Sequence, residues 1–365
     1  MNSQKVMAAV QVGHKQTEVQ AFNIPDIPDD AGLLKVEISG VCGSDWPDYK
    51  KDEGPRILGH EVVGYIEKVG KYAQERWGVK EGDRVALEEY LPCGHCRRCR
   101  TGEFRLCSAT DKWNGGIRFG FTGTSEQPSL WGGYSQYLYL HPNSVFHKVP
   151  DHVPANQAAL ALPLGNGIEW TINEGGAGPG KTVLIQGPGQ QGLSCVLAAK
   201  QAGADTIIVS GLTADKDRFE VAKKFGADYT IDVQKDDLVD KVSEITNGEM
   251  VDLVIDVAAG GPATVTLAME VVKIRGTIII GGKKHQEIPG FFSDKLMSKC
   301  ITMKGVRGHS YESVERAIAL IASEKYPLHE MCTHDFGLNE VDLALKTVGG
   351  EGVSGAIHVS VDPWK

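Results

Sequence analysis

The order of apolar and polar residues divides the chain into two parts. Up to about residue 155, short apolar or alternating runs are separated by glycine and proline, and they predict the strands KVMAAVQV, LLKVEISG, EVVGYIEKVG, DRVALEEY and GGYSQYLYL. Segments with helical periodicity are few in this part. The pattern therefore predicts a β-rich first domain.

From about residue 156, nearly continuous apolar runs alternate with amphipathic segments. The runs predict the strands TVLIQG, TIIVSG, YTID, VDLVIDVA and GTIIIGG, and the segments between them predict the helices GLSCVLAAKQAG, FEVAKKFGA and TVTLAMEVV. Strands that are apolar throughout are typical of a parallel sheet covered by helices on both faces. The second part is therefore predicted to be an α/β domain.

The C-terminal segment contains a predicted helix, SVERAIALIASEK, and a strand-like run, GAIHVSV, which is too isolated to form a domain. We expect this run to return to the first domain. The predicted domains are residues 1–157 with 310–365, including a lobe at about 90–110, and residues 158–309. Two domains agree with the length of 365 residues, because one domain usually has ~100–200 residues.

Charge and hydropathy argue against two classes of partner. The formal net charge of −9 offers no attraction to nucleic acid or to an acidic membrane surface. No run approaches the ~20 apolar residues of a membrane span, and the N-terminal MNSQKVMAAV lacks the pattern of a signal peptide. We expect a cytoplasmic protein without a nucleic-acid or membrane partner.

A run of closely spaced cysteines, LPCGHCRRCRTGEFRLC, is the most specific motif of the first domain. Its cysteines are Cys93, Cys96, Cys99 and Cys107. Four thiolates at this spacing predict one tetrahedral zinc. A disulfide interpretation is poorer, because two-residue gaps strain a bridge and the other cysteines are scattered. Since sulfur fills all four positions, this zinc is predicted to be structural.

A glycine-rich turn follows the first predicted strand of the second domain. It reads GPGQQG and contains Gly187, Gly189, Gln190, Gln191 and Gly192, and it opens the next predicted helix. In this context a GxGxxG pattern predicts that a dinucleotide binds with its pyrophosphate at the helix N-terminus.

The residues after the second strand of this domain leave the choice of coenzyme open. The strand ends in Ser-Gly-Leu-Thr, and the first acid is Asp215. If the loop folds back, Asp215 can bind the adenosine ribose, and NAD is preferred. If Gly211 and Thr213 line the pocket instead, Lys216 or Arg218 could bind the 2′-phosphate of NADP. We favour NAD slightly over NADP.

Two further motifs complete a resemblance to a known family. Cys42 lies in GVCGSD and His60 in GHE, and with the cysteine run and the glycine-rich turn they make the chain resemble the zinc-dependent medium-chain alcohol and polyol dehydrogenases over its whole length. The resemblance implies a Rossmann coenzyme domain, a β-rich GroES-like catalytic domain, and a catalytic zinc bound by Cys42 and His60. It also implies that Asp45 orients His60, that Glu61 lies close to the metal, and that Ser44 receives the proton of the substrate.

The third zinc ligand of that family is missing. It is a Cys, Asp or Glu just before the coenzyme domain, and the matching residue here is Leu162. No Cys, Asp, Glu or His occurs between Ala155 and Ile168. The metal would then be held by Cys42, His60 and Glu61 with water, be held weakly, or be absent.

The resemblance implies the reaction but leaves alternatives. A zinc acting as a Lewis acid on an alcohol or ketone oxygen, while hydride passes to or from NAD(P), makes the chain an alcohol dehydrogenase. Aromatic residues of the first domain favour a hydrophobic or cyclic secondary alcohol if they line the pocket, although core packing explains them equally well: Trp46, Tyr49, Trp113, Phe119 and Trp131.

Three other functions stay open. These are a polyol dehydrogenase, a non-catalytic dinucleotide- and zinc-binding protein, and a metal-free reductase. The runs GAIHVSV and GTIIIGG resemble strands that pair between subunits in this family, so we expect a homodimer or homotetramer.

Overall fold

Residues 5–259 and 261–365 are described in the computed structural model of the chain, and they fall into two structural units. The first unit comprises the chain up to Leu162 with Ile318–Glu324 and Leu328–Lys365. The second comprises Pro163–Ala317 with Lys325–Pro327.

Strands and helices are numbered along the chain. The strands are β1 Lys5–Gly13, β2 Gln16–Asn23, β3 Gly32–Gly40, β4 Arg56–Ile57, β5 Glu61–Val69, β6 Arg84–Leu87, β7 Tyr137–Leu140, β8 Phe146–Lys148, β9 Thr182–Gln186, β10 Thr206–Gly211, β11 Tyr229–Asp232, β12 Val251–Asp256, β13 Val272–Ile280, β14 Thr302–Gly305, β15 Cys332–Gly337 and β16 His358–Asp362.

The α-helices are α1 Asp45–Tyr49, α2 Lys71–Trp77, α3 Arg97–Arg100, α4 Ala155–Ala158, α5 Ala161–Ile168, α6 Gln190–Ala202, α7 Lys216–Phe225, α8 Leu238–Ile245, α9 Ala263–Val271, α10 Asp294–Ser298, α11 Tyr311–Ala322 and α12 Val341–Val348. Helix α5 continues as a π-helix over Glu169–Glu174. Within the part of the chain that is described, no helix has the length and apolar composition needed to cross a bilayer.

The first unit is built on β-sheets, as its alternating pattern predicts. One sheet has the order β2-β1-β4, and the other has the order β15-β16-β3-β5-β6-β8 with β7 also paired to β3. The five strands predicted for this part are confirmed as β1, β3, β5, β6 and β7. The C-terminal run forms β16 and pairs with β3, so its expected return to the first unit is also confirmed.

The second unit contains one parallel sheet with the order β11-β10-β9-β12-β13-β14. Its central strand β12 is buried over its whole length, as is typical of a parallel sheet with both faces covered. The predicted strands are confirmed as β9 to β13 and the predicted helices as α6, α7 and α9. This is the α/β fold that the sequence pattern predicts.

Strands β13 and β16 contain the two runs that resemble strands paired between subunits, and both lie inside the sheets of this chain. Strand β13 lies between β12 and β14, and β16 lies between β15 and β3. The pairing with β14 covers Thr277–Ile280 of β13, and the pairing with β3 covers Ser360 and Val361 of β16. Pairing between subunits through these runs stays a prediction, and β14 is the edge strand next to β13.

Candidate metal centres and coenzyme site

The cysteine run brings its four sulfur atoms together. The Sγ atoms of Cys93, Cys96, Cys99 and Cys107 all lie within 4.8 Å of one another. Measured Sγ–Sγ distances are 4.0 Å for Cys93–Cys99, 3.5 Å for Cys96–Cys99 and 3.7 Å for Cys96–Cys107. A tetrahedral zinc with Zn–S bonds of ~2.3 Å requires Sγ–Sγ distances of roughly 3.8 Å. The sulfur positions therefore fit zinc, and all the cysteines are free of disulfides.

Backbone N–H groups in the lobe favour the thiolate form of Cys93, whereas burial raises the pKa of Cys99 to about 12. The N–H of Cys96 donates to Cys93 Sγ at 3.4 Å, and the N–H of Cys93 donates to Cys107 Sγ at 3.4 Å. The N–H groups of His95 and Cys96 lower the pKa of Cys93 to about 6. A thiolate is the form that binds a metal.

A second cluster of possible ligands forms where β3 ends and β5 begins. Cys42 lies in the turn after β3, while His60 and Glu61 lie at the start of β5. Because β3 and β5 are antiparallel and Gly40 pairs with Glu61, the turn lies beside the start of β5. The ligand atoms of Cys42, His60 and Glu61 all lie within 4.8 Å of one another.

Asp45 supports this cluster from the first residue of α1. One of its oxygens, Oδ1, lies 3.1 Å from His60 Nδ1. The other, Oδ2, accepts hydrogen bonds from Tyr134 Oη at 2.8 Å and from the N–H of Cys42 at 3.2 Å. This fully buried carboxylate therefore holds the backbone of Cys42 and places a negative charge beside His60, although the geometry between Asp45 Oδ1 and His60 Nδ1 is not that of a hydrogen bond. Sequence reasoning missed Tyr134, because nothing in the local pattern indicates a contact over 89 residues.

The electrostatics of the cluster favour a bound cation. Burial alone would lower the pKa of His60, but the carboxylates of Asp45 and Glu89 outweigh burial and raise this pKa well above its usual value. Burial and the neighbouring Glu61 carboxylate raise the pKa of Cys42. In these acidic surroundings a zinc ion would replace protons, because ligands give up their protons when a metal binds.

Ser44 and Phe121 also lie at this cluster. Ser44 Oγ donates a hydrogen bond to Cys42 Sγ at 3.3 Å, so its hydroxyl lies beside a possible zinc ligand. The ring of Phe121 lies against the ring of His60 at a centroid distance of 5.0 Å. Lys112 Nζ lies over the Phe121 ring, 3.4 Å from its centroid. Sequence reasoning did not identify Phe121, which belongs to an irregular segment without periodicity.

Most of the aromatic residues considered as pocket walls belong to the core. Tyr49, Phe119 and Trp131 are buried in the hydrophobic clusters of the first unit, whereas Trp113 is exposed. Core packing is therefore the correct interpretation for those three residues. Leu162, at the position of the missing ligand, is a buried residue of α5.

The glycine-rich turn joins β9 to α6 in the second unit. Gly187 has a φ of +96°, and a Cβ atom on Gly192 would lie 1.9 Å from the carbonyl oxygen of Gly187. A side chain is therefore excluded at both positions. Helix α6 begins at Gln190 and Gln191, without a side-chain cap at Gly189 and without an acidic residue in its first turn. Its N–H groups suit a phosphate.

Asp215 lies next to this turn. Its Oδ2 accepts the N–H of Leu212 at 2.9 Å, and its Oδ1 accepts Arg218 Nη1 at 2.8 Å. A Cβ atom on Gly211 would lie 2.9 Å from Asp215 Oδ2 and 2.8 Å from Pro188 Cδ, so the carboxylate lies beside the glycine-rich turn. By contrast, Thr213 Oγ1 donates to Asp232 at 2.7 Å, and Lys216 is exposed.

Comparison with known proteins identifies the family. An alcohol dehydrogenase GroES-like domain matches residues 28–151, and a zinc-binding dehydrogenase domain matches residues 192–323. A probable alcohol dehydrogenase of Mycobacterium tuberculosis is 36% identical over 352 residues, covering 95% of each chain. Sorbitol dehydrogenase of Bacillus subtilis is 35% identical over 294 residues, covering 78% of each chain.

A solved structure agrees with these matches. The crystal structure of an alcohol dehydrogenase from Thermotoga maritima has a TM-score of 0.85 at 26% identity, and the match covers 98% of this chain and 99% of that one. The chain therefore belongs to the zinc-dependent medium-chain alcohol and polyol dehydrogenase family.

Proposed function

We propose that this protein transfers hydride between an alcohol and NAD(P), with a catalytic zinc held by Cys42, His60 and Glu61. The observation that carries the proposal is the convergence of these three ligand atoms within 4.8 Å. Three protein ligands leave one tetrahedral position open, as in catalytic zinc sites, whereas the four-sulfur lobe has none open.

Glu61 is proposed to replace the ligand that Leu162 cannot provide. Its side chain is 4% exposed, and its strand neighbour Gly40 leaves room for it, since a Cβ atom there would lie 2.5 Å from Glu61 Oε2. A buried carboxylate beside a thiol and an imidazole supports retention of the metal rather than its loss. A bound zinc would serve as a Lewis acid for the alcohol oxygen.

The surrounding residues have separate roles in this proposal. Asp45 lies at Nδ1 of His60, which leaves Nε2 as the nitrogen for the metal and fixes the orientation of the ring. Ser44, whose hydroxyl lies at Cys42 Sγ, receives the proton of the substrate hydroxyl. Phe121 covers His60 with an apolar ring and keeps water away from that side.

For the coenzyme we propose NAD. Asp215 lies beside the glycine-rich turn, where a carboxylate can accept hydrogen bonds from ribose hydroxyls but repels a 2′-phosphate. Arg218 is already paired with Asp215 at 2.8 Å, which opposes its use as a phosphate ligand.

The proposed substrate is a secondary alcohol or its ketone, and the alternative is a polyol, supported by the likeness to the sorbitol dehydrogenase of Bacillus subtilis. A panel of both classes, with NADH or NADPH formation followed by absorbance, distinguishes them. A cytoplasmic location and a homodimer or homotetramer are part of the same proposal, with β14 as one of the edge strands of the parallel sheet.

The test combines zinc content with turnover. The wild type should contain two zinc ions per chain and oxidise an alcohol of the panel. Glu61→Ala should lose one zinc and the activity, while Glu67→Ala, an exposed change on the same strand, should change neither. One zinc per chain in the wild type, with no turnover across the panel, would favour the non-catalytic binding protein instead.

A further inference from the structure

A buried ion pair lies at the carboxyl end of the parallel sheet, beside the glycine-rich turn. Asp256, the last residue of β12, is 0% exposed, and the side chain of Lys284 is 8% exposed. Strand β12 pairs with β9, and Asp256 is the register partner of Gln186. The strand order runs outward from β9 in one direction and from β12 in the other. Ligands of open α/β sheets bind where the order reverses in this way.

Asp256 and Lys284 hold the backbone of Ala258 at both its N–H and its carbonyl oxygen. Lys284 Nζ donates to Asp256 Oδ1 at 2.7 Å and to the carbonyl oxygen of Ala258 at 2.6 Å. Asp256 Oδ1 also accepts the N–H of Ala258 at 3.2 Å, and Asp256 Oδ2 accepts Thr264 Oγ1 at 2.7 Å. Ala258 is therefore fixed at its N–H and at its C=O.

Ala258 in turn supports the glycine-rich turn. A Cβ atom on Gly187 would lie 2.9 Å from the Cα of Ala258, and a Cβ atom on Gly282 would lie 2.6 Å from its carbonyl oxygen. The backbone of Ala258 is thus packed between these two glycines. Gly187 is itself in contact with Gly192 at the start of the turn's helix, so a shift of Ala258 would move the groups that face a pyrophosphate.

Stability alone does not explain this arrangement. Removing two charges from water is costly, and a buried ion pair can often be replaced by apolar residues without loss of stability. Next to the pair, Gln186 Oε1 is buried and has no hydrogen-bond partner among the described residues. Polar groups are thus concentrated at this end of the sheet beyond what packing requires.

We propose that Asp256 and Lys284 are positioning residues for the coenzyme, which hold Ala258 against Gly187 and keep the glycine-rich turn in the shape that binds the dinucleotide. This inference rests on the proposed function, because it needs a dinucleotide at that turn. The pair acts through the backbone, so it should set the affinity for coenzyme more than the rate of the chemical step.

The test is a titration of the zinc-loaded protein with NADH, and with NADPH in parallel, followed by coenzyme fluorescence. Lys284→Met should raise the dissociation constant by about tenfold or more, while kcat at saturating coenzyme stays within about twofold. The matched control is Lys181→Met, which removes an exposed lysine paired with Asp252 at the other end of the sheet. It should leave the dissociation constant unchanged.

A double variant, Asp256→Leu with Lys284→Met, separates positioning from stability, since it leaves no buried charge unpaired. Its melting temperature should recover towards that of the wild type, but its coenzyme affinity should stay low. If Lys284→Met does not fold, the coenzyme affinity of the double variant is measured instead. Recovery of affinity in the double variant, or unchanged affinity in Lys284→Met, would overturn the inference. If the wild type binds neither coenzyme, the proposed function itself fails.

Discussion

Replacing Gly40 with alanine tests whether Glu61 binds the catalytic metal without touching any ligand. The added Cβ would lie 2.5 Å from Glu61 Oε2, 3.0 Å from Glu61 Cβ and 3.0 Å from His358 Cε1. Carbon and oxygen atoms in contact need ~3.5 Å, so the carboxylate oxygen must retreat by about 1 Å. The side chain of Glu61 can rotate away, because its far end is the nearest obstacle.

The size of this shift decides the outcome. Metal–ligand distances are defined within ~0.2 Å, so a retreat of about 1 Å removes Glu61 from the metal. The remaining crowding should lower the stability by about 1–3 kcal/mol, which corresponds to a fall of ~2–4 °C in melting temperature per kcal/mol for a unit of this size. Gly40→Ala should therefore fold and yet lose its second zinc.

The assay is zinc per chain, measured by mass spectrometry after dialysis against a weak chelator. Gly40→Ala should retain one zinc, in the four-cysteine lobe, and the wild type should retain two. The matched control is Gly43→Ala, in the turn that follows β3, where an added Cβ meets no atom within 4 Å. Two zinc ions in Gly40→Ala, with a lowered melting temperature that shows the methyl group in place, would refute Glu61 as a ligand.

Three further predictions follow from buried or paired groups. Glu169 accepts hydrogen bonds from Ser310 Oγ and Ser313 Oγ at 2.7 Å. Glu169→Ala should therefore lower the free energy of unfolding by about 2–4 kcal/mol. Urea denaturation measures this change, with the more exposed Glu174→Ala as the control. Burial lowers the pKa of His358 from 6.5 to about 4, so the unfolded chain binds a proton at this residue before the folded chain does. The free energy of unfolding of the wild type should therefore fall by on the order of 3 kcal/mol as the pH falls from 6.5 to 4. His358→Gln should remove this part of the pH dependence. Asp215→Asn should reduce the preference for NAD over NADP by about tenfold in competitive binding, whereas Asp217→Asn should leave it unchanged.

Local patterns were sufficient for most of the strands. The apolar runs of the second part locate β9, β10 and β12 because side chains on both faces of these strands are buried. The sequence pattern does not indicate strand β2, because QTEVQAFN is partly exposed along its whole length and contains few apolar residues. The isolated run GAIHVSV belongs to the first unit as expected, but its place between two strands depends on pairing that sequence periodicity does not encode.

The candidate sites were predictable where the ligands are close in sequence. The cysteine run and the pair His60–Glu61 are contiguous motifs, and the strand register completes the cluster with Cys42. Contacts between distant residues were not predictable, such as Tyr134 with Asp45 and Lys284 with Asp256. Each of these contacts depends on a fold that brings separate segments together, and neither residue pair has a fixed spacing that would reveal it.

The most direct test of the central claim is anomalous diffraction at the zinc absorption edge from crystals of the zinc-loaded protein. The account predicts two zinc peaks per chain, one among Cys93, Cys96, Cys99 and Cys107 and one bound by Cys42, His60 and Glu61. A peak at the four cysteines alone, or a second zinc that Glu61 does not bind, would contradict it.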